Sequence, residues 1–192
     1  MPDAALLGFV FFGLFSPGPN VILLTASGAR FGFAPTVPHI LGVALGVGIT
    51  AAVTGFGIGA LLLAAPALTV ALKVAASLWI LRMAWKLWQA RPADDAATDR
   101  PFTFLEAVLF QWVNPKVWAV QLSALAFITQ LTPLQQAGTL AVVFAGLNLF
   151  VCLFWTAAGH LLRALLRNPA LWQGFMRIMA ALLAVFSVLV FL

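Results

Sequence analysis

The chain has 192 residues, of which 64% are hydrophobic and only 8% are charged, and its mean hydropathy is +1.08. Soluble domains are about 45–50% apolar and about 25% charged, so ten basic and five acidic residues are too few to cover a soluble surface. The composition therefore excludes a soluble enzyme and a disordered chain, and it predicts an all-α integral membrane protein. The net charge of +5 does not indicate a nucleic-acid partner, because the basic residues are spread between long apolar stretches rather than clustered.

Six apolar spans follow one another along the chain, each long enough to cross a hydrocarbon core of about 30 Å. Turn-forming sequences with proline, glycine or polar residues separate them. The predicted spans are 4–28, 37–63, 68–88, 104–128, 137–162 and 172–192. We expect a single transmembrane domain over residues 1–192, with a first repeat of three spans over about 1–88, a cytoplasmic linker over 89–103, and a second repeat over about 104–192.

Basic residues predict the orientation of the spans, because Lys and Arg accumulate in cytoplasmic loops. Eight of the ten lie in or beside the connections that follow spans 1, 3 and 5: Arg30, Arg82, Lys86, Arg91, Arg100, Arg163, Arg167 and Arg177. These connections are therefore predicted to be cytoplasmic, with both termini on the outer side. Because each repeat has an odd number of spans, the two repeats are predicted to be inverted relative to each other.

Two proline motifs interrupt the spans at matching places in the two repeats. Residues 16–20 interrupt span 1 as Ser-Pro-Gly-Pro-Asn, and residues 114–116 interrupt span 4 as Asn-Pro-Lys. Proline removes a backbone N–H and clashes with the carbonyl four residues earlier, so each motif breaks its helix. Ser16-Pro17 and Asn114-Pro115 each match a helix N-cap followed by proline at the first helical position. A new half-helix is therefore predicted to start at each break.

Interruptions at corresponding positions of two repeats are the sequence pattern of a transporter binding site near the bilayer midplane. In inverted repeats the two half-helix N-termini are predicted to approach each other and to attract a carboxylate. The predicted substrate-binding residues are Pro17, Gly18, Pro19, Asn20, Asn114, Pro115 and Lys116. The alternative is that the prolines are packing kinks, since Pro and Gly are frequent in membrane helices.

Lys116 is the most informative polar residue within a span. It lies 12 residues into span 4, about 18 Å along the helix. An ionisable group at that depth is a functional-site candidate by default. Its ammonium group is expected either to bind a substrate carboxylate or to lose its proton on desolvation.

Four further residues are candidates for coupling or for lining the cavity. Glu106, at the start of span 4, fits either a proton acceptor or a charge partner of the helix N-terminus. His39 lies near a span end and fits best a hydrogen-bonded histidine at the membrane interface. Gln111 and Asn148 fit either hydrogen bonds between helices or a place in the cavity wall. By contrast, four glycines are predicted to serve close helix packing: Gly42, Gly46, Gly55 and Gly59.

Motifs of membrane and soluble enzymes are missing from the sequence. It contains no His-Glu-x-x-His, no Gly-x-x-x-x-Gly-Lys-Ser/Thr and no intramembrane aspartate pair. Cys152 is the only cysteine, so neither a disulfide nor a Cys-rich metal site forms within the chain. We predict no catalytic residue, no metal and no cofactor.

Three motifs together resemble the LysE/RhtB superfamily of bacterial amino-acid exporters, over essentially the whole chain. They are Pro17-Gly18-Pro19-Asn20, the turn Gly28-Ala29-Arg30-Phe31-Gly32-Phe33, and Asn114-Pro115-Lys116. Residues 83–86, 102–116 and 155–162 are most similar to the cysteine/O-acetylserine exporter branch. The chain differs from the family pattern at residues 76–79, where Gly-Ala-x-Tyr is expected, and at Arg82, where relatives carry an apolar residue. These differences concern the substrate more than the fold.

The resemblance implies an exporter of amino acids or their derivatives in the bacterial inner (plasma) membrane, and the basic residues predict that both termini are periplasmic. Its expected partners are a small amino-acid substrate, the lipid bilayer and a coupled proton, and its expected mechanism is antiport by alternating access around the two broken helices. Two alternatives from other classes are a membrane-embedded enzyme and a non-transporting structural or regulatory membrane subunit. The matched interruptions favour the transporter, because neither alternative requires them.

Overall fold

The computed structural model describes residues 3–57, 65–90 and 100–191, and all regular secondary structure within these ranges is helical. The α-helices of the described residues are α1 (Ala4–Phe15), α2 (Pro19–Phe31), α3 (Phe33–Gly55), α4 (Pro66–Trp88), α5 (Phe104–Val113), α6 (Pro115–Ala124), α7 (Pro133–Leu162) and α8 (Pro169–Leu189). Short 3₁₀ turns follow α6 at Leu125–Phe127 and α7 at Leu165–Arg167. The predicted all-helical fold class is confirmed.

The long apolar helices account for most of the predicted spans. α3, α4, α7 and α8 are each long and apolar enough to cross a membrane. α1 and α2 together form a fifth candidate span, which bends by 57° at its break. The fourth predicted span is divided into α5 and α6 at Asn114. Breaks therefore occur in both spans that carry proline motifs, while the count of six spans and their inverted arrangement stay predictions.

The connection between α2 and α3 is shorter than the sequence predicts. α3 begins at Phe33 rather than at residue 37. Gly32 ends α2 with a φ of 91°, which glycine adopts without strain, and the chain turns there directly into α3. Three features of the sequence prediction lie outside the described residues: the end of this span at residue 63, the packing glycine Gly59, and most of the linker 89–103.

α3 is the central helix of the described structure. It packs along both α7 and α5, while α2 packs along α7 and α4 along α8. Within its apolar stretch 61% of the residues are buried, against 28% for α4 and α8. On the outer helices, large apolar side chains such as Phe12, Leu78 and Val142 are 64–74% exposed. An apolar surface of this extent suits contact with lipid rather than with water.

Glycines bring α2 and α7 into backbone contact. A Cβ atom at Gly159 would lie 2.1 Å from the Thr25 carbonyl oxygen, and one at Gly28 would lie 2.3 Å from the Thr156 carbonyl oxygen. Both distances are far below van der Waals contact, so only glycine allows the two helices to approach this closely. Small residues serve the same purpose in other membrane helix pairs.

α3 uses glycine in the same way. A Cβ atom at Gly42 would lie 2.3 Å from the Phe104 carbonyl oxygen of α5, and one at Gly46 would lie 2.9 Å from Val108 Cα. Gly55 faces the backbone of α7 at a similarly short distance. The predicted packing role of these three glycines is confirmed.

We expect Gly159→Ala to destabilise the protein by about 1–3 kcal/mol, because the added methyl group overpacks the contact with the backbone of α2. The matched control is Gly146→Ala on the same helix, where a Cβ atom meets nothing within 4 Å. The control should keep or raise stability, since alanine is the better helix former. Thermal unfolding of the purified variants in detergent measures both effects. Equal melting temperatures would contradict the close packing of α2 against α7.

Candidate functional site

The two helix breaks contact each other through Lys116, as their predicted approach requires. Its Nζ donates to the carbonyl oxygen of Ser16 and, at 3.1 Å, to that of Pro17. Both carbonyls lie after the end of α1 and before the start of α2. Carbonyls in a break of a membrane helix need donors from elsewhere in the protein or from water. The ammonium group of α6 supplies those donors to the break in span 1.

Gly18 makes room for the stem of this lysine. A Cβ atom at position 18 would lie 2.6 Å from Lys116 Cδ and 2.9 Å from Nζ. The backbone of Gly18 is extended, with φ −180°, so any residue type adopts its conformation. A larger residue here would therefore displace Lys116 from its present position.

A pair of amide side chains forms a second contact between the breaks. Asn20 Nδ2 donates to Gln111 Oε1 at 2.8 Å, and Gln111 Nε2 donates back to Asn20 Oδ1 at 3.2 Å. Gln111 Nε2 also donates to the Ala107 carbonyl at 2.9 Å, and the side chain is fully buried. Of the two roles that the sequence leaves open for Gln111, the structure supports the hydrogen bond between helices.

The two half-helices begin differently. α6 begins as predicted, with Asn114 as N-cap and proline at the first helical position, although the Asn114 side chain makes no capping hydrogen bond. For α2 the predicted N-cap, Ser16, is wrong, because Gly18 is the N-cap and Pro19 is the first helical residue. Ser16 instead ends α1. A proline disfavours the helical conformation of the residue before it, so the second proline of the motif sets the start of α2.

A small cavity, the central cavity, lies between the breaks. Its lining includes Asn20, Asn114, Lys116, Asn148 and Cys152. The volume of about 20 Å³ has room for a water molecule but not for an amino acid. Asn114 Oδ1 and Asn148 Nδ2 are buried and have no hydrogen-bond partner among the described residues. Buried polar atoms without a partner are unfavourable. The Asn114 acceptor and the Asn148 donor are therefore available, together with Lys116, to a polar ligand in this cavity.

Glu106 does not line the central cavity. Its carboxylate accepts from Arg100 Nη1 and Nη2 at 2.7 and 3.0 Å and from the backbone N–H of Thr103 at 2.8 Å. The Thr103 hydroxyl accepts in turn from the Glu106 N–H, which completes a capping box at the start of α5. The hydrogen bond to Glu106 and its negative charge raise the pKa of Arg100 above its ordinary value. The geometry supports the charge-partner role of Glu106 rather than the proton-acceptor role.

The prediction of a hydrogen-bonded His39 at a span end is wrong, although its side chain does line a cavity. Its side chain is 2% exposed, and neither ring nitrogen has a hydrogen-bond partner among the described residues. Its ring centroid lies 5.0 Å from that of Phe102, which comes from the segment before α5. Because α3 begins at Phe33, His39 lies well inside the helix instead of at a span end.

A second cavity, the vestibule, was not predicted from the sequence. It has a volume of about 300 Å³, and the ends of α2 and α4 and the start of α5 contribute to its wall. Its charged lining residues are Arg30, Arg82, Lys86, Arg100 and Glu106, and His39 lines it as well. In the sequence, these basic residues indicate the orientation in the membrane but not that they line a common cavity. The spacing of Arg82 and Lys86 by one helical turn is the signal that could have placed them on one face of α4.

Comparison with known proteins finds a translocator family whose match includes the residues of both breaks. The family described as LysE type translocator matches residues 11–192. Proteins named "Cysteine/O-acetylserine efflux protein" from Escherichia coli O1:K1 / APEC, Escherichia coli strain K12 and Shigella flexneri serotype 5b are each 28% identical over 155 residues, which are 80% of this chain and 80% of each relative. No solved structure matches the chain.

The Asn20–Gln111 pair predicts an energetic coupling between the two breaks. In a double-mutant cycle with Asn20→Ala and Gln111→Ala, we expect a coupling free energy of about 0.6 kcal/mol, typical of hydrogen bonds between membrane helices. Gln121 provides the control, since it bonds to Val47 and Thr50 of α3 and not to Asn20. The effects of Asn20→Ala and Gln121→Ala should therefore add. Unfolding in detergent measures the cycle, and additive effects for Asn20 and Gln111 would contradict their contact.

Proposed function

This chain belongs to the LysE type translocator family, and from that premise we propose that it exports small zwitterionic amino acids or amino-acid derivatives across the bacterial inner membrane. The proposed mechanism is alternating access around the two helix breaks. The observation that carries it is the contact of Lys116, in one break, with backbone carbonyls of the other break. Membership of a translocator family excludes the membrane-enzyme alternative, and a non-transporting subunit has no need of paired breaks.

A zwitterion fits the groups at the breaks through an exchange of partners. Its carboxylate takes the Lys116 ammonium group away from the carbonyls of Ser16 and Pro17, and its own ammonium group then donates to those two carbonyls. Charge-assisted hydrogen bonds of this kind are stronger than neutral ones. Asn148 Nδ2 and Asn114 Oδ1 supply one further donor and one further acceptor. All these polar groups are then paired, so hydrogen bonds to the bound substrate replace those that Lys116 makes across the breaks in the closed protein.

The small size of the central cavity supports alternating access. With about 20 Å³ between the breaks, an amino acid enters only when the helices around the cavity move apart. The positive ends of the half-helices α2 and α6 lie at the same place and favour the substrate carboxylate. We therefore assign this structure to a closed state between the two open ones.

The named relatives support the substrate class. Cysteine and O-acetylserine, which their name specifies, are both small zwitterions with an uncharged side chain. At 28% identity the relatives support this class rather than one particular amino acid.

The helix contacts support a single domain of two inverted repeats, over about 1–88 and 104–192. In such repeats α1 and α2 correspond to α5 and α6, α3 corresponds to α7, and α4 corresponds to α8. The contact of α1 and α2 with α7 then has its counterpart in the contact of α5 and α6 with α3, and the pairs α3–α7 and α4–α8 are their own counterparts. On this ground we propose that α5 and α6 together form a sixth span. The gathering of Arg30, Arg82, Lys86 and Arg100 around the vestibule supports one common side for their connections. We propose that this side is the cytoplasm and that both termini are periplasmic.

Proton coupling is proposed through Lys116. Among the described residues that line the central cavity, it alone carries a charge. The carbonyls of Ser16 and Pro17 bind either the charged lysine or the substrate ammonium group. Proton release by Lys116 is the alternative to the carboxylate anchor described above. If Lys116 releases its proton when the substrate displaces it, it no longer holds the carboxylate, and proton and substrate exclude each other at the two carbonyls, which antiport requires. Glu106 is less suited to this role, because its carboxylate is held by Arg100.

Lys116→Met tests the proposed function. The change keeps similar bulk and removes the charge, so we expect export to be abolished while membrane abundance stays near that of the wild type. The matched control is Lys73→Met, which removes another lysine of a candidate span that does not line the central cavity. Uptake of radiolabelled cysteine into inside-out membrane vesicles measures export. Wild-type uptake by Lys116→Met would contradict the site, and with it the mechanism.

Lys116→Arg separates the two roles of the lysine, because arginine keeps its charge and does not deprotonate in proteins. Export by this variant would assign Lys116 to a fixed anchor for the carboxylate and would contradict its role in proton transfer. Loss of export with retained substrate binding is the result expected for proton coupling.

The orientation of the chain is tested by reporter fusions. Fusions at residues 95 and 168 should both report the cytoplasm, because they lie among the basic connections, and a fusion at residue 192 should report the periplasm. A cytoplasmic signal from the fusion at residue 192 would contradict an arrangement of six spans in two inverted repeats.

A further inference from the structure

The wall of the vestibule includes two basic side chains, Arg82 and Lys86, that no described residue neutralises. Four basic side chains and one carboxylate line it. The carboxylate of Glu106 is engaged by Arg100 through two hydrogen bonds, at 2.7 and 3.0 Å. Arg82 and Lys86 are exposed and have no ion pair or hydrogen bond with the described residues. They lie one turn apart on α4, so their charges act together on whatever occupies the vestibule.

The inner wall of the vestibule holds buried polar atoms that lack partners. His39 is 2% exposed, yet both of its ring nitrogens lack a hydrogen-bond partner among the described residues. Trp79 Nε1 is buried without a partner in the same part of the structure, and both side chains line the vestibule. Buried polar groups in proteins are normally hydrogen-bonded, so these unpaired nitrogens leave hydrogen-bonding capacity at the cavity wall for water or a polar ligand.

The vestibule has the size that the central cavity lacks. Its volume of about 300 Å³ is at the lower end of the range for ligand pockets, which is sufficient for a small amino acid. α2 contributes Leu23 and Ala26 to the vestibule and Asn20 and Leu24 to the central cavity. A single helix thus borders both cavities.

We propose that the vestibule is a loading site, in which Arg82 and Lys86 bind the carboxylate of the substrate before it passes to the central cavity. The planar guanidinium group of arginine holds a carboxylate through two parallel hydrogen bonds. His39 and Trp79, whose buried nitrogens lack partners among the described residues, line the same cavity. The positive charges of Arg82 and Lys86 select zwitterionic and anionic amino acids and reject those with a cationic side chain. This inference rests on the proposed export function and adds the step at which substrates are selected by their charge.

Arg82→Gln tests the loading site by its effect on transport kinetics. In inside-out membrane vesicles we expect the cysteine concentration for half-maximal uptake to rise about tenfold, which corresponds to the loss of one charge-assisted hydrogen-bonded pair. The maximal rate should stay near that of the wild type, because the central site is intact. Arg167→Gln is the matched control, since Arg167 is an exposed arginine that follows α7 and does not line the vestibule.

Charge reversal tests the selectivity. Unlabelled lysine should compete weakly with cysteine uptake by the wild type and by Arg167→Gln, and clearly more strongly with uptake by Arg82→Glu. Half-saturation and lysine competition equal to the control in both Arg82 variants would overturn the loading site, while sensitivity of export to Lys116→Met would leave the export function standing. A wild-type protein that takes up none of the amino acids tested would overturn both.

Discussion

An ammonium group within an apolar span and backbone carbonyls without helical donors are each unfavourable in a membrane, and in this protein each provides the partner that the other needs. A charged side chain at the centre of a membrane helix costs at least about 2.5–3.5 kcal/mol. Lys116 offsets this cost by donating to the carbonyls of Ser16 and Pro17. The break in span 1 thus supplies acceptors that stabilise the charge of Lys116, and Lys116 supplies the donors that the carbonyls of that break lack.

The surrounding structure follows from holding these two breaks together. Gly18 leaves space for the lysine stem, and the amide pair of Asn20 and Gln111 joins the breaks a second time. Backbone contact at Gly28 and Gly159 holds α2 against α7. These contacts are polar or small rather than large and apolar, as expected where lipid leaves little hydrophobic driving force between helices. In the proposed mechanism only the hydrogen bonds of Lys116 are replaced, because a zwitterion carries the two charged groups that the exchange requires.

The sequence predicts best those features that depend on local chemistry. The two prolines of span 1 and the Asn114-Pro115 pair interrupt a helix wherever they stand, so the breaks and their approach to each other could be predicted. The carbonyls of Ser16 and Pro17 as partners of Lys116 were not predicted. Features that depend on packing could not be predicted. The N-cap of α2 is Gly18 rather than the predicted Ser16, because the second proline of the motif, not the first, begins the helix. His39 is buried because Phe102, which is distant in the sequence, packs against it. The vestibule likewise gathers side chains from separate connections, which no local pattern joins.

The central claim is that the contact between the breaks closes the central cavity and that substrate opens it. The single cysteine, Cys152, is 1% exposed and lines this cavity beside Lys116, so the native thiol reports its opening. The most direct measurement is the rate at which a small water-soluble methanethiosulfonate labels Cys152 in inside-out vesicles, with and without O-acetylserine, which carries no thiol. We predict slow labelling of the resting protein and labelling several-fold faster during transport. An equal rate in the presence and absence of substrate, while transport proceeds, would contradict the account.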